Sequence, residues 1–195
     1  MNKVFFDLEW NTGFLDGNSF DEIIEIGAVK TDEEYREIDG FRRLIRPAIY
    51  RKMNPYIQKI LSITMKDLQN EEPLQAVAKA FFDWCGDCDT LIAWSGNDFG
   101  VLEKNLAHIG MEVPKRLNRY DVQMAYSYRT EKSIRNYALK TAVEAMELPE
   151  PEDQAYHDAY CDAQFTAAIG RALTERYGPL PTTEELDALK NTLVK

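Results

Sequence analysis

The apolar residues at the start of the chain have the composition of a buried strand, and two carboxylates interrupt them. VFFDLEW, residues 4–10, is rich in Val, Phe, Leu and Trp, yet Asp7 and Glu9 stand in its middle. Strand side chains alternate, so both acids point to one face, roughly 7 Å apart. Burying such a pair calls for a cation, a proton or a hydrogen-bond network. NTGFLDGNSFD then reads as a polar turn region, followed by a second strand in EIIEIGAVKTD and a third in EYREIDGFRRLIRP. Short connections between these three predict an antiparallel meander.

Further along, the period changes from two to about 3.6. PLQAVAKAFFDWC places Leu74, Val77, Ala78 and Phe81 on one helical face, with Pro73 at the entry. TLIAWS is a short buried strand, and DFGVLEKNLAHIG returns to helical spacing through Phe99, Leu102, Leu106 and Ile109, closed by Gly110. Residues 116–122 fit one more strand, and IRNYALKTAVEAME fits a helix with Leu139, Ala142, Val143 and Met146 inward. A long helix runs from about Asp158 to Tyr177. Residues 182–193 form a last helix, opened by a capping box of Thr182 and Glu185. Three antiparallel strands followed by alternating helices and strands give an α/β fold, a mixed sheet flanked by helices.

At 195 residues, 45% hydrophobic and 29% charged, the chain fits one globular domain, 1–195, with no repeat or linker. No apolar run reaches the length of a membrane helix and the N-terminus has no signal pattern, so the expectation is a cytoplasmic protein with no membrane partner. Three cysteines make no disulfide framework, in keeping with a reducing compartment. The net charge of -10 argues against phosphate binding at first sight, but the basic residues cluster. Arg42, Arg43, Arg46, Arg51 and Lys52 form one group; Lys115, Arg116, Arg119, Arg129, Lys132, Arg135 and Lys140 form another. They are either solvated faces or two phosphate-contacting edges on an acidic body.

Two further acids stand out. Asp98, in WSGNDFG, lies where a strand gives way to a helix, a place that suits both a helix-capping acid and a ligand site of an α/β sheet. Asp162, in HDAYCDAQFTAAIG, shares a helical face with Phe165, Thr166, Ile169 and Leu173 and should point at the sheet. His157 belongs to the loop before that helix, after the acidic, turn-rich PEPEDQ, where a mobile segment could carry a general base. Hard oxygen donors without a Cys or His cluster select Mg²⁺ or Mn²⁺. Two such ions could activate a water and stabilise the leaving oxygen of a phosphodiester.

FDLE, the Asp of WSGND and HDAYCDA resemble the three motifs of the DEDDh 3′-to-5′ exonucleases, the superfamily of RNase T and the epsilon proofreading exonuclease. The resemblance extends through EIIEIGAVK, LSITMKDL, RYDVQ and LKTAVEAMEL, over about residues 3–175. It implies an RNase H-like fold, with Asp7, Glu9, Asp98 and Asp162 as the metal-site acids and His157 as the general base. The implied substrate is a single-stranded nucleic acid with a free 3′ end. The chain departs from the common pattern at Trp10, where many members have a small hydroxyl residue, and at Ser62, where Gly is frequent. These positions and the overall acidity leave RNA and DNA both open. Trp10 and Phe14 are candidates to stack on the last bases, with a core role for Trp10 as the alternative, and Ser62 belongs to the terminal-nucleotide pocket. Two other readings compete. WCGDC imitates a thioredoxin motif or half a zinc site, but follows a helix instead of opening one. A non-catalytic interaction module of the same fold would have no reason to keep facing carboxylates.

Overall fold

The chain's first turn is tighter than its polar sequence suggests. In the computed structural model, which describes residues 2–149 and 156–193, strand β1 runs Lys3–Leu15 and β2 runs Asn18–Thr31. The stretch read as a turn region is therefore mostly strand. Only Asp16 and Gly17 turn, both at positive φ (50° and 82°), as a two-residue Asp-Gly hairpin requires. Polar cross-strand pairing replaces burial here: Asn11 faces Glu22, Thr12 faces Asp21, and the Thr12 hydroxyl donates to Asp21 at 2.8 Å. β3, Glu37–Leu44, pairs antiparallel with β2 and completes the expected meander.

Two one-turn helices follow, α1 (Ile57–Ile60) and α2 (Met65–Leu68), both too short to leave a periodic signal. After them come α3 (Leu74–Cys85), β4 (Thr90–Ala93), α4 (Gly96–His108) and β5 (Asn118–Asp121). The sheet order is β3-β2-β1-β4-β5, with β4 parallel to both its neighbours, so the acid-bearing β1 is central. The chain then forms α5 (Val122–Glu131), α6 (Leu139–Ala145), α7 (Ala159–Tyr177) and α8 (Thr183–Leu193). Residues 134–138 are not helical, against expectation. The Tyr137 carbonyl instead accepts from Trp94 Nε1 at 2.9 Å and Gln123 Nε2 at 2.8 Å, so side chains take the bond a helix would use. The capping box of α8 is present: Thr182 N–H donates to Glu185 at 2.7 Å and Glu185 N–H to Thr182 at 3.2 Å.

Alternation along β1 divides the interior. Phe6 and Leu8 join Phe41, Phe81 and Leu102 on the side of α3 and α4; Phe5 joins Val29, Ile92, Val143 and Ile169 on the side of α6 and α7. Asp7 and Glu9 share Phe5's parity and continue its face where the apolar packing ends. Cys85 and Cys88 are buried and unpaired at the end of α3, and burial pushes the Cys85 thiol up to about 12, which removes the thiolate that exchange chemistry needs. Among the described residues, no helix is long and apolar enough to cross a membrane.

Candidate active site

Three elements bring the acids together. β1 supplies Asp7 and Glu9, the first turn of α4 supplies Asp98, and the first turn of α7 supplies Asp162. Asp98 is not the helix cap: Ser95 is, accepting from Asn97 N–H at 3.3 Å while its own hydroxyl donates to Asp98 Oδ2 at 3.2 Å. Asp98 is thereby left 5% exposed and aimed inward. All four acids line one cavity of about 310 Å³ with His157, Trp10, Ile57, Ile60, Leu61, Trp94 and Leu139. A roomier hollow of about 480 Å³ at the other end of the sheet, between Lys3, Tyr35, Tyr120 and Leu180, has no such convergence of acids.

Burial raises every one of these carboxylates, and their charged neighbours raise them further. Glu9 is pushed up to about 8 by burial, then by Asp162, Glu25 and Asp98. Asp162 rises to about 7, chiefly by burial, opposed by the His157 N–H that donates to its Oδ2 at 3.2 Å. Asp7 lies well above the usual carboxylate range through burial and the charges of Asp98, Asp162, Glu9 and Glu25. Asp98 is raised by burial, against the Ser95 hydrogen bond. Asp162 Oδ1 is buried without a hydrogen-bond partner, and side-chain donor atoms of Glu9, His157 and Asp162 lie within 4.8 Å of one another. An orphaned oxygen among mutually repelling carboxylates fits a hard divalent cation.

The structure places the remaining sequence candidates unevenly. His157 is exposed and adopts φ 68°, a left-handed conformation unusual for a residue with a side chain. The PEPEDQ segment before it, read as a mobile carrier of the base, spans 149–154 and lies, beyond Pro149, outside the described residues. Trp10 packs against the Phe6 core, as its core reading expected, and also borders the cavity. Phe14 is 78% exposed near the hairpin tip and Ser62 is exposed beside the lining residue Leu61; neither is brought into the cavity. Phe14 lies five residues beyond Glu9, roughly 16 Å along the strand and past the register shift at Glu9 and Trp10, which takes it out of reach. Much of the second basic group is used internally: Arg116 donates to the Phe82 carbonyl at 3.3 Å, Arg119 pairs with Glu103, Arg129 donates to Pro179, and Arg135 pairs with Glu131 at 3.7 Å. Sequence reasoning missed Glu25, fully buried opposite Glu9, although an acid inside EIIEIG carries the same warning as Asp7.

Comparison with known proteins gives the family and the fold. The RNase T exonuclease model matches residues 4–169. The PolC-type DNA polymerase III of Thermotoga petrophila is 28% identical over 198 residues, covering 98% of this chain and 14% of that protein. That of Clostridium perfringens is 30% identical over 169 residues, covering 85% and 11%. The chain thus spans only about 14% or less of the length of these relatives. Among solved structures, the nuclease domain of 3′hExo, a DEDDh family member bound to rAMP, superimposes with a TM-score of 0.78 at 16% identity, over 94% of this chain and 97% of that one. Exonuclease I gives 0.71 at 18% identity, over 97% of this chain and 43% of that one. These likenesses bear out the RNase H-like mixed sheet, and with a family match running from β1 into α7, the chain belongs to the RNase T exonuclease family of hydrolytic nucleases, in the fold of DEDDh 3′-exonucleases.

Proposed function

We propose that the chain removes nucleotides stepwise from the free 3′ end of single-stranded RNA or DNA, with Asp7, Glu9, Asp98 and Asp162 holding two Mg²⁺ or Mn²⁺ ions and His157 serving as general base. One observation carries this reading. Three buried carboxylates and the half-buried Asp7, on three separate elements, face one another, and the charged groups acting most strongly on them are themselves carboxylates. A binding module without chemistry would gain nothing from that repulsion. When bound, the ions would supply Lewis-acid activation and neutralise charge at the phosphodiester.

The chain's own side chains account for the other requirements. His157, exposed on one side and close to Glu9 and Asp162 on the other, is positioned to accept the proton of the attacking water and return it to solvent. Ile57, Ile60, Leu61, Trp94 and Leu139 form an apolar wall that seats the terminal base and sugar and excludes bulk water, with Trp10 at its border. At about 310 Å³ the cavity is at the small end of ligand sites, which favours a chain end over an internal segment. Phe14 and Ser62, outside it, would contact only nucleotides beyond the terminal one. Similar folds have been solved with rAMP and, in exonuclease X, with 5′-overhanging duplex DNA, so both sugars belong in the test.

That test uses single-stranded RNA and DNA labelled at the 5′ end, with Mg²⁺ or Mn²⁺ and an Asp7→Ala control. A ladder shortening one nucleotide at a time with release of mononucleotides is expected. Efficient cutting of a circular single strand would sink the exonuclease reading.

A further inference from the structure

One arginine reaches the layer behind the acids. Arg42, paired with Gly27 across β3 and β2, directs Nε to Glu25 Oε1 at 2.8 Å and Nη2 to Asp158 Oδ2 at 2.5 Å. Glu25 lies opposite Glu9 in the β1–β2 register. Asp158 caps α7: its side chain accepts from Cys161 N–H at 3.1 Å and its carbonyl accepts from Asp162 N–H at 2.9 Å. A single guanidinium therefore joins the strand pair that carries Glu9 to the turn that presents His157 and Asp162.

That turn is one that needs holding. His157 sits in the left-handed region, and the helix entry rests directly on β2: a Cβ on Gly27 would fall 2.1 Å from the Tyr160 amide nitrogen and 2.2 Å from the Ala159 carbonyl carbon. The hydroxyl of Tyr160, the second residue of α7, donates to Glu37 Oε1 at 2.5 Å, so it ties the helix entry to β3 while Arg42 ties Asp158 to Glu25 on β2. A planar fork suits the gap between Glu25 and Asp158 because it offers donors in two fixed directions, which an ammonium group does not.

We propose that Arg42 is a positioning residue: by gripping Glu25 and Asp158 together it fixes the entry of α7 against β2 and sets where His157 and Asp162 stand relative to Glu9. Its effect on turnover rests on the function proposed above; its effect on α7 does not. A simpler role would be to neutralise the buried charge of Glu25, and a double variant separates the two. Glu25→Gln/Arg42→Met removes that charge and still leaves Asp158 unheld.

The test combines hydrogen exchange of the metal-free protein with steady-state kinetics under saturating Mn²⁺. In Arg42→Met, amides at the start of α7 should exchange on the order of tenfold faster while those of central β1 do not change, as loss of a charge-assisted contact at one helix end implies. Turnover should fall about 10- to 100-fold with KM nearly constant, the usual effect of removing a group that orients a metal-site side chain. The double variant should keep both defects, and Arg42→Lys should recover only part of each. Unchanged exchange in Arg42→Met, or full recovery in the double variant, overturns the proposal. Should Arg42→Met fail to fold, Asp158→Asn keeps the helix cap and loses the ion pair; faster exchange at the α7 entry supports the clamp, and parental exchange rejects it. If the parent chain degrades no nucleic acid, the proposed function falls while the exchange data still decide the clamp.

Discussion

Two buried carboxylates on β2, three residues apart, are treated by the fold in opposite ways. Glu22 sits in a cage of backbone amides, its Oε1 accepting from Ala48 at 2.6 Å and Ile49 at 2.7 Å and its Oε2 from Tyr50 at 2.9 Å. Glu25 and the acids around it have each other, one arginine that meets a single oxygen of Glu25, and orphaned oxygens on Glu25 and Asp162. A carboxylate whose lone pairs are met by amides is holding a loop in place. A group of carboxylates whose lone pairs are unmet fits cations, and a bound cation that relieved their repulsion would stabilise the fold.

The sharpest way to break this contrast is to remove one acid of the unmet group. Asp7→Ala should lower nuclease turnover by about 10⁴-fold or more and abolish Mn²⁺ binding by calorimetry, because the charge stabilisation supplied at such a site is lost with its ligand. Circular dichroism should stay parental. Parental Mn²⁺ affinity in both Asp7→Ala and Asp162→Ala would refute the metal assignment.

His157→Ala comes next, with a loss of about 10²- to 10⁴-fold in turnover, the range of a positioned acid-base group. Its ring lies within 4.8 Å of donor atoms on Glu9 and Asp162, so the same variant tells a base from a ligand. Mn²⁺ affinity close to the parent's is the outcome for a base. A joint fall in affinity and turnover would make His157 part of the metal shell.

The amide-caged acid should respond in the other currency. Glu22→Gln exchanges charge-assisted bonds for neutral ones and should destabilise the fold by about 2 to 4 kcal/mol in urea denaturation, with turnover per folded molecule largely kept. A stable variant that had lost activity would place Glu22 in the active site and erase the distinction.

Three of the acids were legible in the sequence because they break an apolar pattern, Asp7 and Glu9 inside VFFDLEW and Asp162 at the head of the Phe165, Ile169, Leu173 stripe, and Asp98 because it stands at a strand-to-helix junction. Polarity at a position that periodicity assigns to the interior is a local signal, and it survives without a structure. The Arg42 bridge from Glu25 to Asp158 was not legible, since nothing in a linear pattern couples residue 42 to residue 158. Helix α5 was hidden for a related reason: beside Val122 and Tyr126 it buries Gln123, Ala125 and Ser127, and these small and polar residues on its inner face blur the apolar period. The hairpin arms were mistaken for a turn because strand pairing there rests on backbone bonds and polar partners, not on an apolar face. Phe14 was assigned to the site by composition alone, where its five-residue separation from Glu9 along an extended strand already set it apart.

The smallest expected effect is thermodynamic and concerns the metal-free protein. An acid whose folded-state pKa is raised holds its proton more tightly when folded, so its stabilising contribution is complete below the unfolded carboxylate value, about 4, and is lost as pH rises toward the folded value. With Asp162 at about 7 and Glu9 at about 8, the window runs from about pH 4.5 to 8. Because the acids repel one another and do not titrate independently, the loss across that window should be about 1 to 3 kcal/mol, less than the separate shifts would suggest. Melting curves in chelator at pH 5, 6.5 and 8 should therefore step downward. Saturating Mg²⁺ should remove the slope, since a bound cation favours the ionised form that the empty site resists. Glu22→Gln should leave the slope in place and Asp162→Asn should shrink it. A flat profile in chelator would mean that the empty site already has a counter-charge, and the contrast between the two kinds of buried acid would fail at its origin.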